Sequence, residues 1–245
     1  MHHLRNVWFG NMEKALTKEL NAILQESLSE IDPKLRVTAS ISAIIRAVDK
    51  EFSLSANYPK GHGDLFAEWM RENHSGELLL HVERAAGSRQ DLCLEGCLPI
   101  FWNYEYYLEF LDDSLRQLGK SNKASILQKN LFCALGSMEM ISLSRLLSIL
   151  HLAICIPFRW LSGKTHELAE FKWGPMSMGR VLDKLDVALN KLLEKPDLIV
   201  DEQFMMGIFD EFANELPPFK EYISDLYEKK QMSVVASSLL LGLLT

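Results

Sequence analysis

The chain has 245 residues, enough for one large domain or two small ones, and 48 % of them are hydrophobic, which excludes global disorder. Acidic residues outnumber basic ones by 33 to 26, for a net charge of −7, so the overall basic footprint of a self-sufficient nucleic-acid binder is absent, although a local basic patch stays compatible with this balance. The cysteines Cys93, Cys97, Cys133 and Cys155 lack the paired spacing of a zinc site and read as small buried hydrophobes in a reducing compartment.

Taken in order, the chain begins with a predicted helix over Leu4 to Ser29, with Val7, Leu16, Leu20, Ile23, Leu24 and Leu28 near helical spacing. Pro33 stops it, because proline disfavours helical geometry at the residue before it. His2, His3 and Arg5 are followed by no continuous apolar region, so the opening does not read as a signal peptide. A second helix is predicted from Ser40, a suitable N-cap, to Phe52, with Ile41, Ile44, Ile45 and Val48 as its apolar stripe. Residues 57–64 form a loop rich in Pro and Gly. His62 sits there between two glycines, but the loop has neither the Lys-Ser/Thr ending of a P-loop nor a preceding strand. Asp64 is the expected cap of a third helix reaching Asn73, with Phe66, Trp69 and Met70 facing inward.

Glu77 to Val82 is the best strand candidate, followed by a polar loop over 83–91. A short helix from Leu92 should stop near Pro99, and the aromatic-rich stretch beyond it should be helical, with Tyr104, Tyr107, Leu108 and Leu111 on one core-facing side. The stretch from Ile126 to Leu161 is the most apolar long run, closed by Pro157. Arg145 and His151 interrupt it, so it reads as a buried core helix and not a membrane span. Ser137, Ser144, Ser148 and His151 recur at near-helical intervals as a narrow seam along which another backbone can approach. Arg145, His151 and Glu139 within this helix are expected on an exposed or partner-bridging strip, since an unpaired buried charge is costly. Further helices are predicted over 165–171, 178–193, 198–214 and 219–230, and 232–245 reads as an apolar tail without capping logic.

The expected architecture is therefore mainly α: a multi-helix bundle around a central buried helix over 126–156, with at most one or two short strands. Residues 1–231 are expected to form a single helical domain, with a possible sub-boundary near 119–125. No serine-protease, zinc-protease, dinucleotide or EF-hand signature is present, and no small-molecule pocket is signalled by the spacing of His62, His81 or His166. Glu139 is the one candidate catalytic or metal-binding carboxylate that the apolar helix offers, with Asp91, Glu95 and Glu167 as possible companions.

The opening His2-His3-Leu4-Arg5-Asn6-Val7-Trp8 resembles the stretch that follows the second catalytic Asp in hAT-type cut-and-paste transposases, where a Cys-x-x-His motif leads into a helix. A helical block followed by Arg159-Trp160 is also similar to the helical insertion of their RNase H-like core, and the blocks around 87–91 and 160–163 look like transposon-like proteins. The Cys expected before His3, the two upstream Asp residues and their strands are not in this sequence. The resemblance implies a transposase-derived fragment without a full acidic triad, inactive alone, and nuclear in location. In an intact relative, carboxylates would hold divalent ions such as Mg²⁺. It further implies Glu139 and Asp91 as metal-site residues, Arg5, Arg84, Arg89 and Arg159 as nucleic-acid contacts, and DNA or the rest of a larger transposase-like protein as partner. The alternative is a non-enzymatic helical scaffold or protein-interaction domain in the cytoplasm, with no cofactor and no membrane. The path of residues 77–82 separates the two: a place in a sheet favours the transposase, an all-helical surrounding favours the scaffold.

Overall fold

The computed structural model describes residues 41–53, 61–77, 79–80, 91–119, 125–158, 160–161, 178–215 and 223–224. The predicted helices over 4–29 and 165–171, the Ser40 cap, most of the helix over 219–230 and the tail lie outside these residues. The described chain is mainly helical, with no strand. Its α-helices are α1 (Ile41–Phe52), α2 (Gly63–Asn73), α3 (Asp91–Gly119), α4 (Ile126–Gly136), α5 (Met138–Leu150), α6 (Met178–Glu194) and α7 (Glu202–Gly207). One turn of π-helix, His151–Cys155, follows α5. Two 3₁₀ segments, Pro196–Val200 and Asp210–Glu215, flank α7. The chain divides into two compact units, Met1–Ser144 and Arg145–Thr245.

In the first unit, α1, α3 and α4 pack against one another and α2 packs on α1 and α3. The 3.6-residue period of α1 places Ile41, Ile44, Ile45 and Val48 on one buried face. Each such side chain, once buried, contributes about 1.5–3 kcal/mol. Gly96 lets α3 come close to this face, since a Cβ there would lie 2.6 Å from Ile45 Cγ2. The aromatic core grows from the end of α1: Phe52 stacks on Tyr107 at 4.2 Å, and Phe66 and Phe110 close around the pair edge-on or tilted. Of the face expected inward, Tyr107 and Leu111 are buried and Tyr104 and Leu108 half-buried, while Phe101 and Phe110 are buried as well.

Several local expectations are corrected. The helix after Asp91 does not stop at Pro99; α3 runs through it for 29 residues. An interior proline costs about 3 kcal/mol through its missing N–H and ring clash. Cys97, Ile100 and Phe101 are buried around it, and their packing offsets that cost. Asp64 is not the cap of α2: His62 occupies the N-cap position and Asp64 lies in the first turn, where the helix dipole favours an acid. The apolar run is helical but divided. Ser137 leaves the helical region at ψ 125°, directly after Gly136, and its hydroxyl accepts from the Met140 N–H at 3.4 Å, so it ends α4 and caps α5. The predicted helix over 198–214 is likewise broken: Asp201 caps α7 by accepting from the Phe204 N–H at 3.0 Å, and the backbone kinks at Phe212.

The stretch Met140–Phe158 is long and apolar enough to cross a membrane by composition, and 83 % of its most apolar window is buried inside the fold, as a core helix would be. Arg145 and His151 are buried there and not on an exposed strip. The Ser137, Ser144, Ser148 and His151 seam is buried throughout.

In the second unit, α6 packs on the 3₁₀ segment Pro196–Val200, which packs on α7. Val181, Ala188 and Leu192 are its buried stripe, while Leu182, Val187, Leu189 and Leu193 stay exposed although they belong to the same apolar pattern. Glu211 pairs with Arg180 at 3.3 Å and Lys184 at 2.9 Å, tying the last 3₁₀ segment to α6.

Gly63 offers a direct check of this packing. A Cβ at Gly63 would fall inside the Ser53 carbonyl group, which is backbone and cannot swing away. Gly63→Ala is expected to cost about 1–3 kcal/mol, read as a lower urea midpoint at unchanged slope.

Candidate functional site

The most polar point of the first unit is the carboxylate of Glu51, whose side chain is only 3 % exposed. It sits near the C-terminal end of α1, where the helix dipole disfavours an anion. Two donors compensate: His62 Nδ1 donates to Oε1 at 2.7 Å and Gln128 Nε2 donates to the same oxygen at 3.1 Å. The His62 backbone N–H also donates to the Glu51 carbonyl at 2.7 Å. Gln128 is fixed in turn by a capping box. Its N–H donates to Ser125 Oγ at 3.1 Å, and its Oε1 accepts from the Ser125 N–H at 3.2 Å. The carboxylate therefore reaches the first turn of α4, where the dipole has the favourable sign.

This geometry holds the His62 ring with Nδ1 as donor to a carboxylate, which is how a general base is oriented in hydrolytic sites. The same bonds also join α1, the approach to α2 and the start of α4, which is a structural task. No group of three or more His, Cys, Asp or Glu side chains able to hold a metal lies among the described residues.

A second network surrounds Asn103, which is 1 % exposed on α3. Its Nδ2 donates to the Leu80 carbonyl at 2.6 Å and to the Tyr107 hydroxyl at 3.0 Å, and its Oδ1 accepts from the Leu80 N–H at 3.3 Å. One amide side chain thereby satisfies both backbone groups of Leu80. Burial pushes the Tyr107 phenol far above the ordinary tyrosine range, against the opposing pull of the Asn103 hydrogen bond. A third, surface cluster ties the end of α2 to α3. His74 Nε2 donates to Glu109 at 3.0 Å, with its ring between those of Trp69 and Tyr106 at 5.0 and 4.9 Å. The Tyr106 phenol is raised by burial first and by its hydrogen bond to Glu77 second.

Of the residues singled out from the sequence, His62 belongs to the Glu51 network. Glu139 is the second residue of α5 and Asp91 the first of α3, both first-turn positions that favour an acid for electrostatic reasons alone. Their side chains, and the whole of Arg5, Arg84, Arg89 and Arg159, lie outside the described residues. Glu167 lies outside them too, and Glu95 is half-buried on α3. Glu51, Asn103 and Gln128 were missed. The one readable signal was Ser125-x-x-Gln128, a capping-box pattern ahead of an apolar run.

No family model, no curated protein and no solved structure matches this chain.

Two measurements test these networks. Glu51→Ala strands two donors, so a loss of about 1–3 kcal/mol is expected. A double-mutant cycle with Gln128→Ala should return a coupling of at least about 0.5 kcal/mol, and additive losses would count against the shared oxygen. Tyr107 holds its proton in the folded state above the pH, about 10, at which an unfolded tyrosine loses it. The unfolded state then binds fewer protons, so this stabilisation is complete below that pH and is lost as pH rises through the window above it. In an alkaline absorbance titration, Tyr107 should ionise only with cooperative unfolding, and Tyr107→Phe should remove one tyrosinate from that late step.

Proposed function

We propose that this protein is a non-enzymatic helical scaffold or protein-interaction domain. The observation that carries this reading is the Asn103 clamp on Leu80. A strand residue presents its N–H and C=O to the same neighbouring strand, and at Leu80 that edge is taken by a helix side chain. Glu77, Leu79 and Leu80 are not in a strand, while the other residues of 77–82 lie outside the described ones. The polar groups of the first unit point the same way. Glu51, Asn103 and Gln128 are each bonded across segments distant in sequence, which makes them struts.

The transposase-derived reading requires Glu139 in a carboxylate cluster beside a sheet and arginines on DNA. It draws support only from the resemblance of the opening and of the blocks around 87–91 and 159–163. We place the protein in a reducing, intracellular compartment, in keeping with the buried thiol of Cys133.

Calorimetric titration with Mn²⁺ and fluorescence anisotropy with a DNA duplex at about 50 mM salt separate the readings. The scaffold predicts no saturable Mn²⁺ heat and no duplex binding. Mn²⁺ binding abolished by Glu139→Gln, or duplex binding whose salt slope falls on replacing Arg84 and Arg89 by Gln, would overturn it.

A further inference from the structure

The chain beyond α2 is held on α3 by a device that reads backbone. Helix α2 ends at its cap His74, and the Glu77 N–H donates to the His74 carbonyl at 3.2 Å. Gly76 sits between them at φ 97°, a conformation that favours glycine, so the chain turns here and reaches α3. Two polar contacts then fix it. The Tyr106 hydroxyl donates to Glu77 Oε2 at 3.1 Å, and the Asn103 amide bonds both the N–H and the C=O of Leu80. Both of these side chains are set independently of the residues they hold. Asn103 gives its second amide hydrogen to the Tyr107 hydroxyl at 3.0 Å, and Tyr107 stacks on Phe52, which fixes which end of the amide accepts and which donates. The Tyr106 ring is placed 4.9 Å from that of His74.

Building on the reading of this protein as an interaction domain, we infer that this face of α3 is a peptide-reading site that the chain's own 77–80 stretch occupies. Its partner is a peptide of the same chemistry: a carboxylate side chain, followed three residues later by an apolar residue with both backbone groups available. An amide that bonds the N–H and the C=O of one residue recognises a peptide as a strand edge does, and main-chain bonds of this kind supply affinity in peptide recognition. Any residue but proline can meet that requirement. The Tyr106 hydroxyl adds the preference for an acid, and the half-burial of Leu79 and Leu80 adds the preference for apolar side chains. Glu77, Leu79 and Leu80 belong to no helix or strand, and a segment held by side-chain contacts in place of a ladder opens at low cost. Its attachment to α2 nevertheless gives it an effective concentration in the millimolar range. The contact is therefore autoinhibitory, and a partner peptide enters when the segment is displaced.

The test uses the full chain and an opened form of it carrying Glu77→Ala and Leu80→Pro. These substitutions remove the carboxylate and the N–H that hold the segment and leave α3 untouched. The probe is a peptide of residues 75–80 with fluorescein at its N-terminus and an amide at its C-terminus. Fluorescence anisotropy should show the opened chain binding it about tenfold tighter, or more, than the unaltered chain does. A peptide carrying Leu80→Pro should lose this binding, as should the opened chain with Asn103→Ala. Asn103→Ala also removes a buried bond, so Tyr106→Phe in the opened chain is a second variant that spares the core. It should abolish the preference for the Glu77 peptide over one carrying Glu77→Ala and leave the affinity for the latter unchanged. Opened and unaltered chains that bind the peptide alike overturn the inference, and so does a preference for Glu77 that survives Tyr106→Phe. A dimer of the unaltered chain that dissociates in the opened form overturns it too, because a second copy would then be the occupant. None of these results touches the interaction-domain reading, which falls only on Mn²⁺ or duplex binding.

Discussion

The buried carboxylate of Glu51 is the constraint on which the described part of the first unit depends. Removing an ionised carboxylate from water costs several kcal/mol even after relaxation, and a helix C-terminus adds an unfavourable dipole. Both penalties are met by elements that come from far along the chain. His62 lies 11 residues away and Gln128 lies 77 away, and each donates to the same oxygen. The requirement is reciprocal. Without Glu51, the loop before α2 loses both a side-chain and a backbone anchor, and the Ser125–Gln128 cap loses its only outward bond to α1 among those described. Gly63 belongs to the same arrangement, because the backbone must pass against Ser53 for His62 to reach the carboxylate.

The elements that the sequence made legible are those set by local periodicity. Helix α1 could be read from Ile41, Ile44, Ile45 and Val48, because burial of one face leaves a 3.6-residue trace, and α6 from Val181, Leu182, Leu185, Val187, Leu189 and Leu192, of which Val181 and Leu192 are buried. Breaks were read less well, because they depend on competition between local and tertiary terms. Pro99 is a helix breaker in isolation, yet buried neighbours on both sides keep α3 intact. Ser137 carries no strong breaking propensity, yet after Gly136 it serves better as a cap than as a helix interior residue. Hydrophobicity showed that 126–158 is core but hid the joint within it, since a buried helix and two buried helices in sequence have the same composition.

The site was hardly legible, for a different reason. Glu51 looks like any solvated acid at the end of an amphipathic helix, and only the three-dimensional approach of His62 and Gln128 gives it a role. Glu139 attracted notice because it stands in an apolar run. The division of that run at Ser137 puts Glu139 in a first helical turn, where an acid has an ordinary electrostatic reason to be. Arg145 and His151 were expected at an exposed strip because a charge in a core is costly, and they are buried all the same. The serines between and around them, Ser144 and Ser148, are fully buried too. Buried polar residues therefore recur through the most apolar stretch, most of them small serines.

The two units differ in the cross-segment polar contacts described for them. In the first, the buried side chains of Glu51, Asn103 and Gln128 bridge separate segments, and the aromatic residues of α1, α2 and α3 close around one another. Such a network resists local opening, because losing one partner leaves another buried group unsatisfied. In the second unit, the ionic contacts of Glu211 with Arg180 and Lys184 are half-exposed and individually weak. Helix α6 contributes apolar surface to both the interior and the outside. A unit built this way gains most from whatever covers the leucines of α6. Additional burial there, and not further polar bridging, is the term with the largest room to grow.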